Sequence, residues 1–385
     1  MKIRRVQTRI AEAMLVCILS GTAGFSQPAE QHQQSYFFKA LPYGSESIFN
    51  PISILVNGGF DELQVYGHHS GNLEDVPWRI GVTNVWKNII DPLTSIKAYG
   101  VNRFISQEII PTSVSYETAQ WFPNWTLHVV GGGMEFRKTK EWYEFHDYPM
   151  PWVLSATTVM AYHYINEIVE NRNSDGPNVD PIADLLIFDP LGLVLFSIDG
   201  VAEFFSSTLS LNDWSSQPAL SFKPLAVRNV AQSFVMKYPI TESGKTSLFY
   251  HFGNFGMLGL SFKMNPEESI SFGIGIATKG IYDVDFAQAL TRAITATPSA
   301  GVYFDRNNSL LASIAMDDGF NDVVRINVFP GILSIGGYSP GIFLAFGRQG
   351  AFTVGITARI LPVGIAVYRP GWDRRFGVES NFKLC

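Results

Sequence analysis

The sequence predicts an all-β fold with a helical insertion: an antiparallel transmembrane β-barrel of about 12 strands with a helical hairpin. Three observations lead to this fold class. Apolar side chains alternate with small or polar ones along most of residues 218–385. Charged residues make up only 16% of the chain, below the roughly 25% of soluble domains, whereas aromatic residues reach 14% and glycines number 34. The predicted strands have about 7 to 11 residues, close to the length of tilted membrane strands.

The alternation is clearest in residues 258–277, where a turn at NPEES joins two runs. Leu258, Leu260 and Phe262 share one parity before the turn, and Phe272 and Ile274 share one after it. Because successive side chains of a strand point to opposite faces, this pattern predicts a hairpin with one apolar face and one small or polar face. A soluble sandwich would bury the apolar face, whereas a membrane barrel would turn it to lipid.

Residues 1–26 have the pattern of a signal peptide. A basic head with Arg4 and Arg5 precedes the apolar segment Ala13–Ala23, and small residues follow for cleavage near Gln27. We therefore expect export, and the predicted barrel places the mature protein in the cell outer membrane. Residues 27–77 are predicted to hold a polar tether, to Gln34, and the first strands, at Ser35–Phe38 and Ile52–Tyr66.

Residues 78–217 are predicted to form a helix-rich insert. Short amphipathic helices are expected up to Ile110, interrupted at Pro92 and Gly100, and strands are expected around 125–146. The three glycines at 131–133 indicate a bend or close packing on the backbone. A helical hairpin follows, formed by Pro151–Glu170 and Ile182–Phe196, which plugs the lumen or lies in the periplasm.

One apolar segment of this insert is a candidate for a membrane-spanning helix. Leu185–Ile198 is shorter than the roughly 20 residues that a spanning helix needs, and Asp189 interrupts it. The sequence therefore predicts no membrane-spanning helix there.

Residues 218–385 are predicted to supply the antiparallel barrel strands. Short connectors such as TESGK and NPEES separate the runs. Phe286–Ile294 is left ambiguous, and an even strand number near 12 is expected for closure. The eleven runs begin near Arg228, Thr246, Leu258, Ile270, Gly301, Ser309, Asp322, Pro340, Ala351, Pro362 and Arg375.

The middle of the chain carries short motifs: Asp91-Pro92 followed by YGVNRF, then Asn166-Glu167, then PIADLLIFDPLG from Pro181. With these motifs, residues 78–209 resemble an uncharacterised Gram-negative envelope family, known only as a domain of unknown function and generally taken to be outer-membrane. The resemblance implies a location in the envelope. It implies no catalytic residues.

The weak candidates for a catalytic site are His163, Glu167 and Asp184. His163 and Glu167 are four residues apart and share a helix face, and Asp180 and Asp184 follow in the next element. Together they would form a polar cluster that holds a metal or lets His163 act as a general base. Simpler explanations are a pair facing a wet lumen, helix capping by Asp180 and helix-dipole stabilisation by Asp184.

No motif predicts a cofactor or a metal site. The three glycines are not followed by the Lys-Ser or Lys-Thr of a phosphate loop, and no GxSxG elbow occurs. His128 and His251 lack an obvious partner and are interpreted as lumen or interface residues.

Three functions remain open: an outer-membrane barrel with a non-enzymatic envelope role (structural, passage or partner binding), an outer-membrane enzyme acting on lipid or lipopolysaccharide, and a soluble periplasmic β-protein that binds an apolar ligand. The expected partners are membrane lipid or lipopolysaccharide, with a periplasmic protein partner left unidentified. The net charge of −6 and the lack of a basic stripe argue against nucleic acid.

Overall fold

The computed structural model describes residues 35–65, 72–111, 122–171, 176–286, 289–318 and 322–371. The predicted signal peptide, the tether up to residue 34 and the last predicted run from Arg375 lie outside these ranges. In the described residues a helical part comes first and the sheet follows it.

The helical part contains α-helices and stretches of π-helix. The π-helical stretches are Phe104–Ile109, Phe122–Gly132, Asp184–Phe188 and Phe204–Thr208, and a 3₁₀ turn lies at Ser45–Ile48. A second 3₁₀ turn, Arg348–Gly350, lies among the strands. The α-helices are α1 Pro51–Phe60, α2 Glu62–Val65, α3 Trp78–Ile90, α4 Pro92–Tyr99, α5 Val101–Arg103, α6 Gly133–Phe145, α7 Pro151–Glu170, α8 Asp180–Ala183, α9 Asp189–Phe196 and α10 Asp199–Glu203.

Helices α1 and α2 show that the strand predicted over Ile52–Tyr66 is wrong up to Val65, and Tyr66 lies outside the described residues. Asn50 Oδ1 accepts hydrogen bonds from the backbone N–H groups of Ile52 and Ser53, both at 3.0 Å, and Ser53 Oγ accepts one from Asn50 N. This capping box and Pro51 at the first helical position start a helix in an apolar run that also resembles a strand.

The strands predicted around 125–146 are also wrong, because the π-helix Phe122–Gly132 continues directly into α6. Other helix predictions are confirmed. Helix α7 has the predicted bounds, Pro92 begins α4, and Gly100, with φ of 100°, ends it.

The sheet has 13 strands and is mostly antiparallel, where about 12 strands were predicted. Their order is β1-β4-β5-β6-β7-β8-β9-β10-β11-β12-β13-β2-β3, so the sheet is open in its strand order, and only β13 and β2 pair in parallel. The strands are β1 Asn212–Asp213, β2 Ala219–Phe222, β3 Leu225–Arg228, β4 Ser233–Pro239, β5 Thr246–Gly253, β6 Phe255–Lys263, β7 Glu268–Phe286, β8 Ala289–Arg306, β9 Ser309–Asp317, β10 Val324–Val328, β11 Gly341–Phe346, β12 Phe352–Thr357 and β13 Gly364–Arg369.

Ten of the eleven predicted runs correspond to β4–β13. The ambiguous stretch Phe286–Ile294 belongs to the hairpin of β7 and β8, apart from residues 287–288, which are not described. The helices were predicted to be an insertion between strands. This is wrong, because within the described ranges every strand follows the helical part.

The two faces of the sheet differ: the apolar face agrees with the alternation, whereas the face predicted to be small or polar also contacts large buried aromatic side chains. One face is apolar and exposed: Leu258 is 58% exposed and Ile274 is 74% exposed. On the other face Trp214, Phe249 and Tyr303 are buried and cluster with Ile48 from the first 3₁₀ turn. The N-terminal part of the chain therefore covers the inner face of the sheet.

The helical part packs on the same inner side. Phe37, Met134 and Phe196 form a core with Phe234 and Phe252 of β4 and β5. No helix of the described residues is by itself long and apolar enough to cross a membrane, and only 180–196 together with 199–208, bent by 86°, reach that length and composition.

Candidate functional site

The polar residues predicted on α7 are buried in the helical part. His163 and Glu167 are 4% and 1% exposed, one helical turn apart. The interpretation that this pair faces a wet lumen is therefore wrong. Asn171, one turn further, donates a hydrogen bond of 2.9 Å to Glu167 Oε2 and fixes that carboxylate.

Asp180 and Asp184 join the cluster, as the candidate site requires. Carboxylate oxygens of Glu167, Asp180 and Asp184 lie within 4.8 Å of one another. Asp180 is the first residue of α8, with Val179 at the N-cap position, so the capping role predicted for Asp180 is not observed. Asp184 begins a π-helical stretch, a geometry that is frequent at functional sites.

Two further members of the cluster, His128 and Asp189, were not identified from the sequence. His128 lies in the π-helix before α6, and its Nδ1 is 2.8 Å from Asp189 Oδ1. His128 Nε2 is 3.5 Å from Asp184 Oδ2, and His163 Nε2 is 3.3 Å from Asp189 Oδ1. His128 is therefore not a solitary lumen residue, because it links both carboxylates.

The signal that could have identified Asp189 is its Asp-Pro sequence. Asp180-Pro181 and Asp189-Pro190 both begin helices, and Asp189 interrupts an otherwise apolar stretch. An ionisable residue in a stretch apolar enough for the core needs a polar partner. That partner, His128, lies 61 residues earlier in the chain.

Glycines bring these elements together. A Cβ on Gly132 would lie 2.8 Å from His163 Nε2, and a Cβ on Gly192 would lie 2.8 Å from the carbonyl oxygens of His128 and Val129. Because contacts this short do not occur for real Cβ atoms, only glycine allows the π-helix to pack against both α7 and α9. The close packing predicted for residues 131–133 is confirmed.

Burial and mutual charge shift the ionisation of the cluster. Burial opposes a charge on His128, but the attraction of Asp189 and the hydrogen bond to it outweigh burial and raise the pKa of His128. Burial lowers the pKa of His163 well below its usual value, and His128 adds to the shift. Burial, and then the charges of Asp180 and other carboxylates, raise the pKa of Asp184 well above its usual value.

The chemistry open to this cluster is limited by its burial. Imidazole nitrogens and carboxylate oxygens are the donors of many metal sites, and they also form proton-sharing networks. General base catalysis requires that the base reach the proton of a substrate. His163, at 4% exposed, lies beneath the packed helices.

A second polar feature is a cavity of about 340 Å³ near the ends of β4 and β6. Lys39, Lys237 and Lys263 line it together with Asp305. Lys237 Nζ donates a hydrogen bond of 2.6 Å to Asp305 Oδ2, so one of the three cations is already compensated. His251 does not line this cavity. Its ring stacks on Tyr303 at 4.9 Å, which places it in the apolar core of the inner face.

When the chain is compared with family models, with curated proteins and with solved structures, no match is found.

Proposed function

We propose that this protein resides in the outer membrane, that its sheet closes into a barrel with its apolar face against lipid, and that its role in the envelope is non-enzymatic. One observation carries the proposal. A continuous apolar belt crosses nine consecutive strands, with one directly paired residue on each. The belt, from β5 to β13, is Leu248, Leu260, Phe272, Val302, Ile314, Ile326, Leu344, Val354 and Val367.

Every member of the belt is at least partly exposed. Six of the nine are exposed, with exposed fractions from 38% for Val302 to 69% for Val367, and Ile326, Leu344 and Val354 are half-buried. Fully burying one such side chain is worth about 1.5–3 kcal/mol, so nine of them facing water would be a large unfavourable surface. A bilayer removes this cost. The belt therefore favours a lipid-facing sheet over a soluble periplasmic protein, whose apolar residues would lie between its strands.

Barrel closure is supported by the segment 212–220. At its start the backbone pairs with β4, where Trp214 N donates a hydrogen bond of 2.8 Å to Ser233 O. At its end it pairs with β13, where Gly364 N donates one of 2.8 Å to Pro218 O. One short piece of chain thus contacts strands at both ends of the series β4–β13, which is the arrangement that a closed barrel needs.

The packing of the inner face favours a structural or partner-binding role over passage of solutes. The rings of Trp214 and Tyr303 lie 5.6 Å apart, and Phe249 packs against both. Ile48 of the N-terminal 3₁₀ turn fills the same core. A pore needs a hydrated lumen, whereas these apolar side chains are packed together.

The export pattern of residues 1–26 and the resemblance of residues 78–209 to an envelope family agree with this location, and both stay predictions. An enzymatic role for His163, Glu167 and Asp184 is not favoured, because all three are at most 4% exposed.

The proposal is tested by expressing the full chain in a Gram-negative host and extracting its membranes with alkaline carbonate. We expect the protein to stay in the membrane pellet and to separate with the outer membrane. Unboiled protein should migrate faster on a detergent gel than boiled protein, as a closed barrel does. Recovery of folded protein in the carbonate-soluble fraction would contradict the proposal.

A further inference from the structure

The polar cluster in the helical part contains more buried carboxylate groups than the packing of the helices requires. Asp184 and Asp189 are 4% and 0% exposed, and each lies within 3.5 Å of a histidine of the cluster, His128 or His163. A location in the membrane does not explain this cluster, because a belt of apolar strands needs no buried imidazole and carboxylate groups.

The distances in the cluster resemble those between the ligands of one metal ion. A tetrahedral ion with bonds of about 2.0–2.1 Å holds its donor atoms about 3.4 Å apart. His163 Nε2 is 3.3 Å and His128 Nδ1 is 2.8 Å from the same atom, Asp189 Oδ1. The first distance exceeds the usual 2.7–3.2 Å of an N–H···O hydrogen bond. Donor atoms of His128, His163 and Asp189 all lie within 4.8 Å of one another.

Three side chains of the cluster each have a buried polar atom without a hydrogen-bond partner. The atoms are His163 Nε2, Asp184 Oδ1 and Asp189 Oδ2, and all three residues are more than nine-tenths buried. Buried polar atoms are nearly always satisfied in folded proteins, and an unsatisfied one calls for a bound ion or water. Here three such atoms belong to one cluster and are of the types that bind metals.

We propose that His128, His163 and Asp189 bind one divalent transition-metal ion, for which zinc is the best fit. Two imidazole nitrogens with a carboxylate oxygen suit zinc, whereas magnesium and calcium prefer sites made of oxygen alone. Three protein ligands leave one position of a tetrahedral ion for water or another small ligand. Asp184, whose Oδ2 is 3.5 Å from His128 Nε2, and the neighbouring carboxylates of Glu167 and Asp180 form the surroundings of the ion.

Such an ion would join segments that are distant in sequence. His128 comes from the π-helix Phe122–Gly132, His163 from α7 and Asp189 from α9. Metal binding therefore contributes directly to folding of the helical part.

The test uses the full-length protein, purified in detergent, reconstituted with zinc and then desalted. Metal content is measured by mass spectrometry for wild type, Asp189→Asn and His163→Gln. The matched control is His251→Gln, which changes a histidine of similar burial, 3% exposed, whose ring stacks on Phe249 and Tyr303 of the sheet. We expect about one zinc per chain in wild type and control, and at least about tenfold less in the two cluster variants. Zinc below one-tenth per chain in wild type, or equal content in all four proteins, would overturn the proposal.

Because Asp189→Asn could fail to fold, a second measurement uses wild type alone. Cobalt is added to chelator-treated protein and its visible absorption is followed. We expect absorption of the intensity of four-coordinate cobalt, saturating at one ion per chain and lost when zinc is added. Absorption that does not saturate, or that zinc does not displace, would count against the site.

Discussion

Gly132 and His163 pack in such close contact that a Cβ on Gly132 would lie 2.8 Å from His163 Nε2. The contact holds the π-helix against α7 and sets the direction of the imidazole within the cluster. Because position 132 has no room for a Cβ, even the methyl group of alanine would disturb the packing.

We expect Gly132→Ala to lower the thermal stability of the purified protein, because one added methyl group in a packed site costs about 1–3 kcal/mol. The measurement is thermal unfolding followed by far-UV circular dichroism. Gly200→Ala is the control, since nothing lies within 4 Å of a Cβ there and alanine favours the helix. Equal melting temperatures for Gly132→Ala and wild type would show that the helices accommodate the methyl group without loss of stability.

A lysine on the exposed apolar face distinguishes lipid from water. Ile274 is 74% exposed, so Ile274→Lys removes little packing within the protein. At the middle of a bilayer a lysine costs about 2–4 kcal/mol, whereas on a water-exposed surface the change is usually within about 0.5 kcal/mol. We expect reduced stability in urea unfolding from lipid vesicles. Met264→Lys, in the turn before β7 and 64% exposed, is the control. The same midpoint for both variants would contradict lipid contact at Ile274.

The buried Lys138 connects the helical part with the sheet. Its Nζ donates hydrogen bonds to Glu46 Oε1, at 2.5 Å, and to Asn212 Oδ1, at 3.2 Å. Lys138→Met leaves the Glu46 carboxylate buried without its cation, so we expect a loss of about 3–5 kcal/mol. Adding Glu46→Gln should recover part of the loss, and urea unfolding of all four proteins gives the coupling.

Lys140→Met is the control for this cycle. Lys140 pairs with Glu144 on the same helix, and both side chains are more exposed than Lys138 and Glu46, so a loss below about 1 kcal/mol is expected. Additive effects of Lys138→Met and Glu46→Gln would mean that the two residues do not stabilise one another.

Glu135 of α6 makes stability depend on pH. Burial, and then the charge of Asp213, raise the pKa of Glu135 well above its usual value, although Gln232 donates a hydrogen bond of 2.6 Å to it. The folded protein therefore holds a proton that the unfolded chain releases near pH 4.5. This contribution to stability is present at low pH and is lost as pH rises from the unfolded pKa towards the folded one.

We expect Glu135→Gln to lessen the decrease in stability between pH 5 and pH 8, because the amide cannot ionise. The measurement is the difference in unfolding midpoint between variant and wild type at the two pH values, which removes the contributions of other groups. A difference that is the same at both pH values would contradict a raised pKa for Glu135.

Local patterns in the sequence predicted much of the sheet and helix α7. Strands β4–β13 follow from alternation over a few neighbouring residues, and α7 follows from its initial proline and a run without breakers. The errors at Ile52–Tyr66 and 125–146 have a common reason. These runs are apolar enough for either structure, and the choice depended on the cap at Asn50 and on packing of Gly131–Gly133 against distant side chains.

The candidate site was predictable only where its members are neighbours on one element. His163 and Glu167 were found together because four residues make one turn of a helix. His128 and Asp189 were missed because they lie 61 residues apart and meet only when the π-helix packs against α9.

The sequence by itself thus determined where strands β4–β13 lie and which of their faces is apolar, because side-chain direction in a strand alternates from one residue to the next. Only the tertiary structure decided that this face is exposed, that the N-terminal segments fill the opposite face, and that two histidines meet two aspartates beneath the helices. Those relationships depend on contacts between residues far apart in the chain, and no local period of the sequence encodes them.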